Sequence, residues 1–411
     1  MSAAGLVRAP FPRYWLSAFL ADFGDGVRLA AFPLLAAQMT RSPAAVATVT
    51  AVQGLPWLVI GLGAGAIVDR RDLRKTMVCV DVVRAMMIAT LAVGVAAHVM
   101  SLPLIYLTAF TTGVGSMVRD TAATTAVPRL IDHDELERAN GHLVAGGIVG
   151  TELAGPAVGG WLFGVAAALP FALNAGSLGI AILLLLTLPS VFGPLRRPQG
   201  SAGVLRAATG DIREGLAWLR RDRPVRDLVV AAGIVSAADG AYLAVFVLYV
   251  TQVLQRSAAV YGLLLAVGAV GGIAAGAFCA RLTRRIGARR MLRATVIMMA
   301  ATQLVLALTS NVLVAAGTLA CSSGAFAAYN ATSRSMRQRR APAHLLGRVN
   351  STYLTVGRSA GAAGALTGGV LAAAAGIQAA ILAGVAPLLG AAILIARGDR
   401  PQRPPADPAR P

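Results

Sequence analysis

The chain has 411 residues, of which 56% are apolar and 13% charged, about half the charge of an ordinary soluble protein. Lys and Arg number 37 against 18 Asp and Glu, a formal charge of +19, and the mean hydropathy is +0.69. A disordered chain is not this apolar, a soluble globule could not cover so much core, and a nucleic-acid binder could be this basic but not this hydrophobic; an integral membrane protein remains.

A spanning helix needs roughly 20 mostly apolar residues. Twelve such runs follow one another: Tyr14–Met39, Ala44–Val68, Thr76–Ala97, Leu102–Ala123, Asn140–Phe163, Val165–Leu188, Asp227–Leu254, Ala258–Leu282, Met291–Thr309, Val312–Ser333, Val349–Ala373 and Ile377–Ala396. They lack the alternation of barrel strands, so the expected class is an all-α membrane protein. The first run, after Arg13, is too long for a signal-peptide core and leads through a short loop into the second, so it is kept as a helix. Gly and Ala abound along all the runs, and in lipid they let helix backbones approach closely.

Arginines set the orientation. Arg70, Arg71, Arg74 and Lys75 follow span 2; Arg284, Arg285, Arg289 and Arg290 follow span 8; Arg334, Arg337, Arg339, Arg340 and Arg348 follow span 10. Eight more arginines, from Arg196 to Arg226, follow span 6. The opposite loops hold little beyond Arg41 and Arg256. By the positive-inside rule both termini are expected to be cytoplasmic. Topology and contact with anionic lipid headgroups then account for the basic charge, with no need of nucleic acid.

Residues 1–188 and 227–396 are expected to be two six-helix bundles. The linker 189–226 carries Leu216, Trp218 and Leu219 among arginines, which reads as a short amphipathic helix on the membrane surface. The tail 397–411 is Pro-rich, basic and expected to be disordered. The two bundles repeat at an offset of roughly 210 residues. Asp25-Gly26 in span 1 matches Asp239-Gly240 in span 7, and Arg138 and Asn140 before span 5 match Arg348 and Asn350 before span 11. Gly155, Gly159 and Gly160 in span 5 match Gly364, Gly368 and Gly369 in span 11. Three matches in one order indicate a duplicated unit, the layout of a secondary transporter whose substrate site lies between the halves near mid-membrane.

The three cysteines, Cys79, Cys279 and Cys321, are dispersed in apolar runs, and the four histidines form no HxxxH pair. Neither a disulfide framework nor a metal site is expected. The single lysine, Lys75, follows Arg74, so there is no phosphate-binding Gly-Lys-Ser/Thr loop and no ATP-driven transport is expected.

Ionisable residues inside a span cost about 2.5–3.5 kcal/mol each on insertion scales and are functional candidates by default. Span 1 carries Asp22, Asp25 and Arg28, the last two at pairing distance along one face. Span 5 carries Glu152, span 7 Asp239 and span 11 Arg358. A carboxylate withdrawn from bulk water can load and release a proton. Asp25 has Arg28 beside it, which makes Asp239 and Glu152 the better carriers. Glu152 and Arg358 could instead form a packing pair. Tyr242, Phe246 and Tyr249 continue from Asp239 at helical spacing. They either pack against neighbouring helices or line a wide cavity suited to amphiphilic substrates.

The stretch Gly65-Ala-Ile-Val-Asp69-Arg70-Arg71-Asp72-Leu73-Arg74-Lys75 is similar to the signature that joins helices 2 and 3 in the major facilitator superfamily. Asp72 and the following Asp81 and Arg84 resemble the branch of macrolide-efflux proteins and the enterobactin exporter, called transmembrane secretion effectors. The likeness runs from about Pro12 to Ala396. It implies two pseudo-symmetric six-helix bundles and a gate in which Asp69 meets the start of helix 11, with Arg70, Arg71, Arg74 and Lys75 as its cationic surroundings. Thr151 and the run Gly155, Pro156, Gly159 and Gly160 resemble the superfamily's antiporter signature. Two positions depart from the pattern. Ala109 stands where an arginine is expected early in helix 4, and Ala280 stands where the second gate motif, Gly276 to Arg281, would carry aspartate.

The expected function is a monomeric, multi-pass secondary transporter without cofactor or metal. It would export drug-like or amphiphilic small molecules by proton antiport. The alternative is a siderophore or metabolite exporter, or an importer, on the same fold. A membrane enzyme is the rival class; it would need a catalytic constellation at one membrane face, and no such constellation is legible.

Overall fold

The computed structural model describes residues 10–59, 72–131, 135–188, 222–342 and 345–397. Twelve helices account for them. The first six are α1 Phe11–Met39, α2 Pro43–Val59, α3 Leu73–Ala96, α4 Leu102–Ala126, α5 Leu136–Val165 and α6 Leu169–Leu186. The second six are α7 Arg223–Val253, α8 Ala258–Ile286, α9 Ala288–Leu308, α10 Val312–Arg340, α11 Leu346–Ala375 and α12 Ile377–Ala396. Eight of them are long and apolar enough to cross a membrane. Of the other four, α1, α4 and α11 carry the intramembrane charges and hydroxyls, and α2 has 17 residues in its described part. Outward-facing Trp161, Leu183, Leu308 and Leu313 are more than half exposed, as lipid-facing side chains should be in a bilayer solvent.

Local chemistry sets the helix ends. Asp72 accepts a hydrogen bond from the Lys75 backbone N–H and opens α3. Asp222 does the same for Val225, with Pro224 in the first turn of α7, so the end of the expected 189–226 linker is already helical. Asn311 caps α10 through the N–H groups of Leu313 and Val314. Two turns need a left-handed residue, and glycine supplies it: Gly287 after α8 at φ 86° and Gly376 after α11 at φ 95°.

The repeat is visible in the packing. In the first half α1 packs on α5 and α6, α3 on α4 and α6, and α2 on α4; the second half repeats these pairs as α7 on α11 and α12, α9 on α10 and α12, and α8 on α10. Two crossings join the halves, α2 with α11 and α5 with α8, and the internal symmetry exchanges them.

The core is asymmetric from end to end. At the end bearing Arg41 and Arg256, one continuous apolar core takes side chains from both halves, including Phe32, Phe163, Phe171, Phe246, Tyr261 and Leu319. At the opposite, basic end the halves have separate cores. Phe11, Tyr14, Met77 and Leu185 pack together in the first half. Leu228, Met299, Tyr329 and Leu388 pack together in the second. Among the described residues, the apolar core common to both halves lies at the arginine-poor end, and each half has its own core toward the basic end.

The expected gate residues Gly65, Asp69, Arg70 and Arg71, the linker helix around Trp218 and the tail beyond Arg397 lie outside the described residues. Arg74 donates to the Leu188 carbonyl, tying the start of α3 to the end of α6.

Candidate functional site

The intramembrane charges of the first half form one connected cluster. Asp25 on α1 pairs with Arg28 one turn later, Nη2 to Oδ1 at 3.1 Å, as the i, i+3 spacing requires. The same Oδ1 also meets Arg84 on α3. Arg84 reaches back to Asp81 on its own helix at 3.0 Å, and the second oxygen of Asp81 meets Arg119 on α4. The result is an alternating chain, Arg28–Asp25–Arg84–Asp81–Arg119, across three helices. Asp81 and Arg84 are almost wholly buried.

Hydroxyls and carbonyls take several of the remaining positions, while the Nε atoms of Arg28 and Arg84 are buried without a hydrogen bond among the described residues. Ser116 donates to Asp25 at 2.9 Å, Arg28 donates to Thr112 at 3.1 Å and to Gln53 at 3.3 Å, and Arg119 donates to the Ser17 carbonyl at 3.0 Å. Phe32 lies under the Arg28 guanidinium, 5.5 Å from ring centroid to Cζ. Buried ions persist only when paired and hydrogen-bonded in this way.

Two further carboxylates border this chain. Asp22 on α1 and Asp120 on α4 lie within electrostatic reach of each other and of Arg119 and Arg84. Asp120 also lies within reach of Arg358 on α11, across the two halves. Asp120 is solvent-exposed. With Arg358 included, four arginines balance four aspartates, most of them inside the first half, and Asp120 with Arg358 carries the charge across to the second.

In the second half Asp239 on α7 has no ion pair or hydrogen bond from any described residue. Its neighbour Gly240 abuts the Gly361 backbone of α11, where an added Cβ would lie 2.1 Å from the carbonyl oxygen, so α7 and α11 are in backbone contact beside this carboxylate.

Two expectations change here. Glu152 is exposed on a widened, π-helical stretch of α5, Ile148–Ala154, and forms no ion pair with Arg358. The stretch precedes Pro156, which has no N–H to continue the ladder, so the helix widens there and shifts the register of Glu152. The aromatic stripe does not line an open cavity either. Tyr242 and Phe246 meet edge to face at 5.5 Å, Phe246 stacks on Tyr249 at 6.1 Å and tilts against Tyr261 of α8 at 5.7 Å. Tyr249 donates to the Thr309 carbonyl. The stripe therefore belongs to the shared core that shuts the arginine-poor end.

The glycine run of α5 serves close packing. Gly155 lies against Gly26 of α1 and Gly159 against Val27, while Gly160 meets Gly262 of α8. In α11, Gly364 and Gly368 sit on Ala237 and Ala241 of α7, and Gly369 meets Ala44 and Ala47 of α2. Corresponding glycines thus hold corresponding crossings within and between the halves.

Sequence reasoning missed Asp81, Arg119 and Asp120 as members of the site, and it read Arg84 only as part of a motif. A signal was present, since Asp81 and Arg84 stand at i, i+3 inside an apolar run and Arg119-Asp120 interrupts another. Among the described residues no cluster of His, Cys, Asp and Glu could hold a metal ion.

Solved transporters share this architecture at low sequence identity. The nucleoside transporter NupG superposes with a TM-score of 0.80 at 11% identity, covering 95% of this chain and 100% of its own. A bacterial homologue of the iron transporter ferroportin, in its inward-facing state, gives 0.78 at 17% identity, with 97% and 100% covered. A bacterial homologue of the lysosomal transporter Spinster, inward-facing and unoccupied, gives 0.72 at 14%, with 94% and 95% covered. No curated protein sequence matches significantly. The sequence model that does match, transmembrane secretion effector, spans residues 2–407, nearly the whole chain. This twelve-helix duplicated bundle, with its buried charge cluster in the first half, thus belongs by its sequence to the transmembrane secretion effector family.

Proposed function

We propose that the chain is a secondary transporter that moves a small, polar, charged metabolite across the membrane by alternating access, with export as its direction and protons as its coupling ion. The observation that carries this reading is the charge placed across the halves, Asp120 within reach of Arg358 with Asp22 beside Asp120, below the apolar core that the halves share at the arginine-poor end. A substrate of mixed charge finds both signs there. The aromatic residues that would favour a drug-like amphiphile are instead sequestered in the closed end, which moves the weight from amphiphile efflux to metabolite transport. The family's description as secretion effectors and the glycine-proline run of α5 support export.

Asp239 serves as the proton-exchanging carboxylate in this reading. Asp25 is held by two arginines and a serine hydroxyl, whereas Asp239 has no cation paired with it among the described residues and sits where α7 meets α11. Losing or gaining a proton there changes the cost of burying that contact.

Uptake into inverted vesicles under an imposed pH gradient tests the proposal, with zwitterionic and anionic metabolites and siderophores compared against macrolides and cationic dyes. Gradient-driven uptake of a charged metabolite is expected. Asp239→Asn is expected to abolish accumulation against the gradient while leaving counterflow of the same substrate. Preferential uptake of dyes and macrolides would restore the amphiphile reading. Full accumulation by Asp239→Asn would remove the carboxylate from coupling.

A further inference from the structure

The basic end of the second half contains a cavity of about 740 Å³ between α8, α9 and α10, apart from the space between the halves. Its walls carry five guanidinium groups, Arg284 from the end of α8, Arg289 and Arg290 from the start of α9, and Arg339 and Arg340 from the end of α10, with no carboxylate among the described lining residues. Two aspartates stand at its margin. Arg340 reaches Asp222 at 3.7 Å, and Asp227 lies beside Arg289 in a small adjoining cleft. The first turn of the 21-residue helix α9 borders the cavity at Gly287 and Ala288, adding the positive end of the helix dipole.

The internal repeat explains why the walls are so one-sided. In the first half the stretch Gly65–Arg70 carries Asp69 four residues after its glycine; the second-half copy, Gly276–Arg281, carries Ala280 there, and Ala280 lines the cavity. The chain has kept the cations of the repeat and lost the built-in anion. Neutralising several guanidinium groups in one concave site calls for a compact, multiply charged oxyanion, and arginine's planar fork matches phosphate best. Thr283, Thr332 and Ser335 add hydroxyls to the lining. The cavity volume exceeds that of a bare phosphate and accommodates one that carries a further organic group.

We infer that this cavity is a phosphate-binding site, occupied by the headgroup of an anionic phospholipid or by a soluble phosphate compound in the place of the missing aspartate. The bound phosphate bridges α8, α9 and α10 and so braces the basic end of the second half, outside the route between the halves.

Thermal unfolding of the purified full chain tests the inference, in zwitterionic nanodiscs with or without phosphatidylglycerol, and in detergent with inorganic phosphate or pyrophosphate. Stabilisation by phosphatidylglycerol alone assigns the site to lipid; stabilisation by pyrophosphate in detergent assigns it to a soluble phosphate. Two variants localise the effect. Arg290→Gln with Arg339→Gln is expected to weaken the response at least tenfold in ligand concentration. Ala280→Asp, which restores an internal carboxylate and removes no cation, is expected to weaken it severalfold while the unliganded protein stays at least as stable. No response to any of the three probes would overturn the inference, as would a response that Ala280→Asp leaves unchanged. The result is independent of transport, so it fails separately from the proposed function.

Discussion

Arg84 holds two carboxylates on two helices, and nothing else in the described structure is placed to do both. Removing its charge leaves Asp25 and Asp81 buried near each other with only Arg28 and Arg119 at the outer ends of the chain. Breaking a buried ion pair by removing one partner costs about 3–5 kcal/mol, so Arg84→Gln should lower the unfolding temperature in detergent sharply. Arg84→Lys should recover part of the loss, because an ammonium is a point charge that serves one carboxylate well and two poorly. An unchanged melting temperature for Arg84→Gln would mean that the pairs do not hold α1 to α3. The Asp25–Arg28 part of this cluster was legible, since both residues lie on one helix at a spacing that fixes their contact. The Arg84 and Arg119 parts were not, because they join helices whose meeting depends on how the bundle closes. Glu152 was misplaced for a related reason, since periodicity assumes 3.6 residues per turn and the π stretch before Pro156 breaks that register.

Among elements, the α5–α8 crossing tests whether the shared glycines determine closure. A Cβ on Gly160 would stand 2.5 Å from the Ala258 carbonyl oxygen and 2.9 Å from the Gly262 Cα, so backbones must separate to admit it. Gly164, one turn on, would meet nothing within 4 Å. Gly160→Val should therefore destabilise the closed end by about 1–3 kcal/mol or more, read as a lower unfolding temperature and faster labelling of a cysteine placed at Leu35. Gly164→Val should stay within about 0.5 kcal/mol of wild type, as substitutions away from packed features do. Equal behaviour of the two would detach the crossing from closure. Helix existence and order were legible from hydropathy alone, and the boundaries differ mainly at the basic end. There α10 runs on to Arg340, beyond the expected Ser333, and α5 starts at Leu136 instead of Asn140. Hydropathy marks where lipid ends, whereas a helix ends where its cap is, and these long helices project past the apolar zone.

For the whole molecule, the end where the halves have separate cores is also the end of the arginine-rich loops. If the positive-inside rule sets the orientation, that end faces the cytoplasm. Reporter fusions after Arg41 and Arg256 should then report the outside and a fusion after Arg226 the cytoplasm. A reversed signal at any one of them would break the twelve-span topology. The duplication was readable from matched glycines and Asp-Gly pairs. The end-to-end asymmetry was not, because two halves of nearly the same sequence pattern say nothing about which of their ends is shut.

The exchange of partners between halves also bears on how the chain is made. α2 is completed by α11, and α5 by α8, so each half leaves part of its small-residue surface for the other to cover. Roughly 300 residues separate α2 from its partner. At about 5–20 residues per second of synthesis, α2 waits on the order of 15–60 s in the bilayer before α11 exists. During that interval the small-residue face around Ala44 and Ala47 is open to any other helix with a matching groove. The nascent first half is therefore the stage most in need of a membrane chaperone, and a ribosome stalled before α11 should leave an insertion intermediate that protease clears.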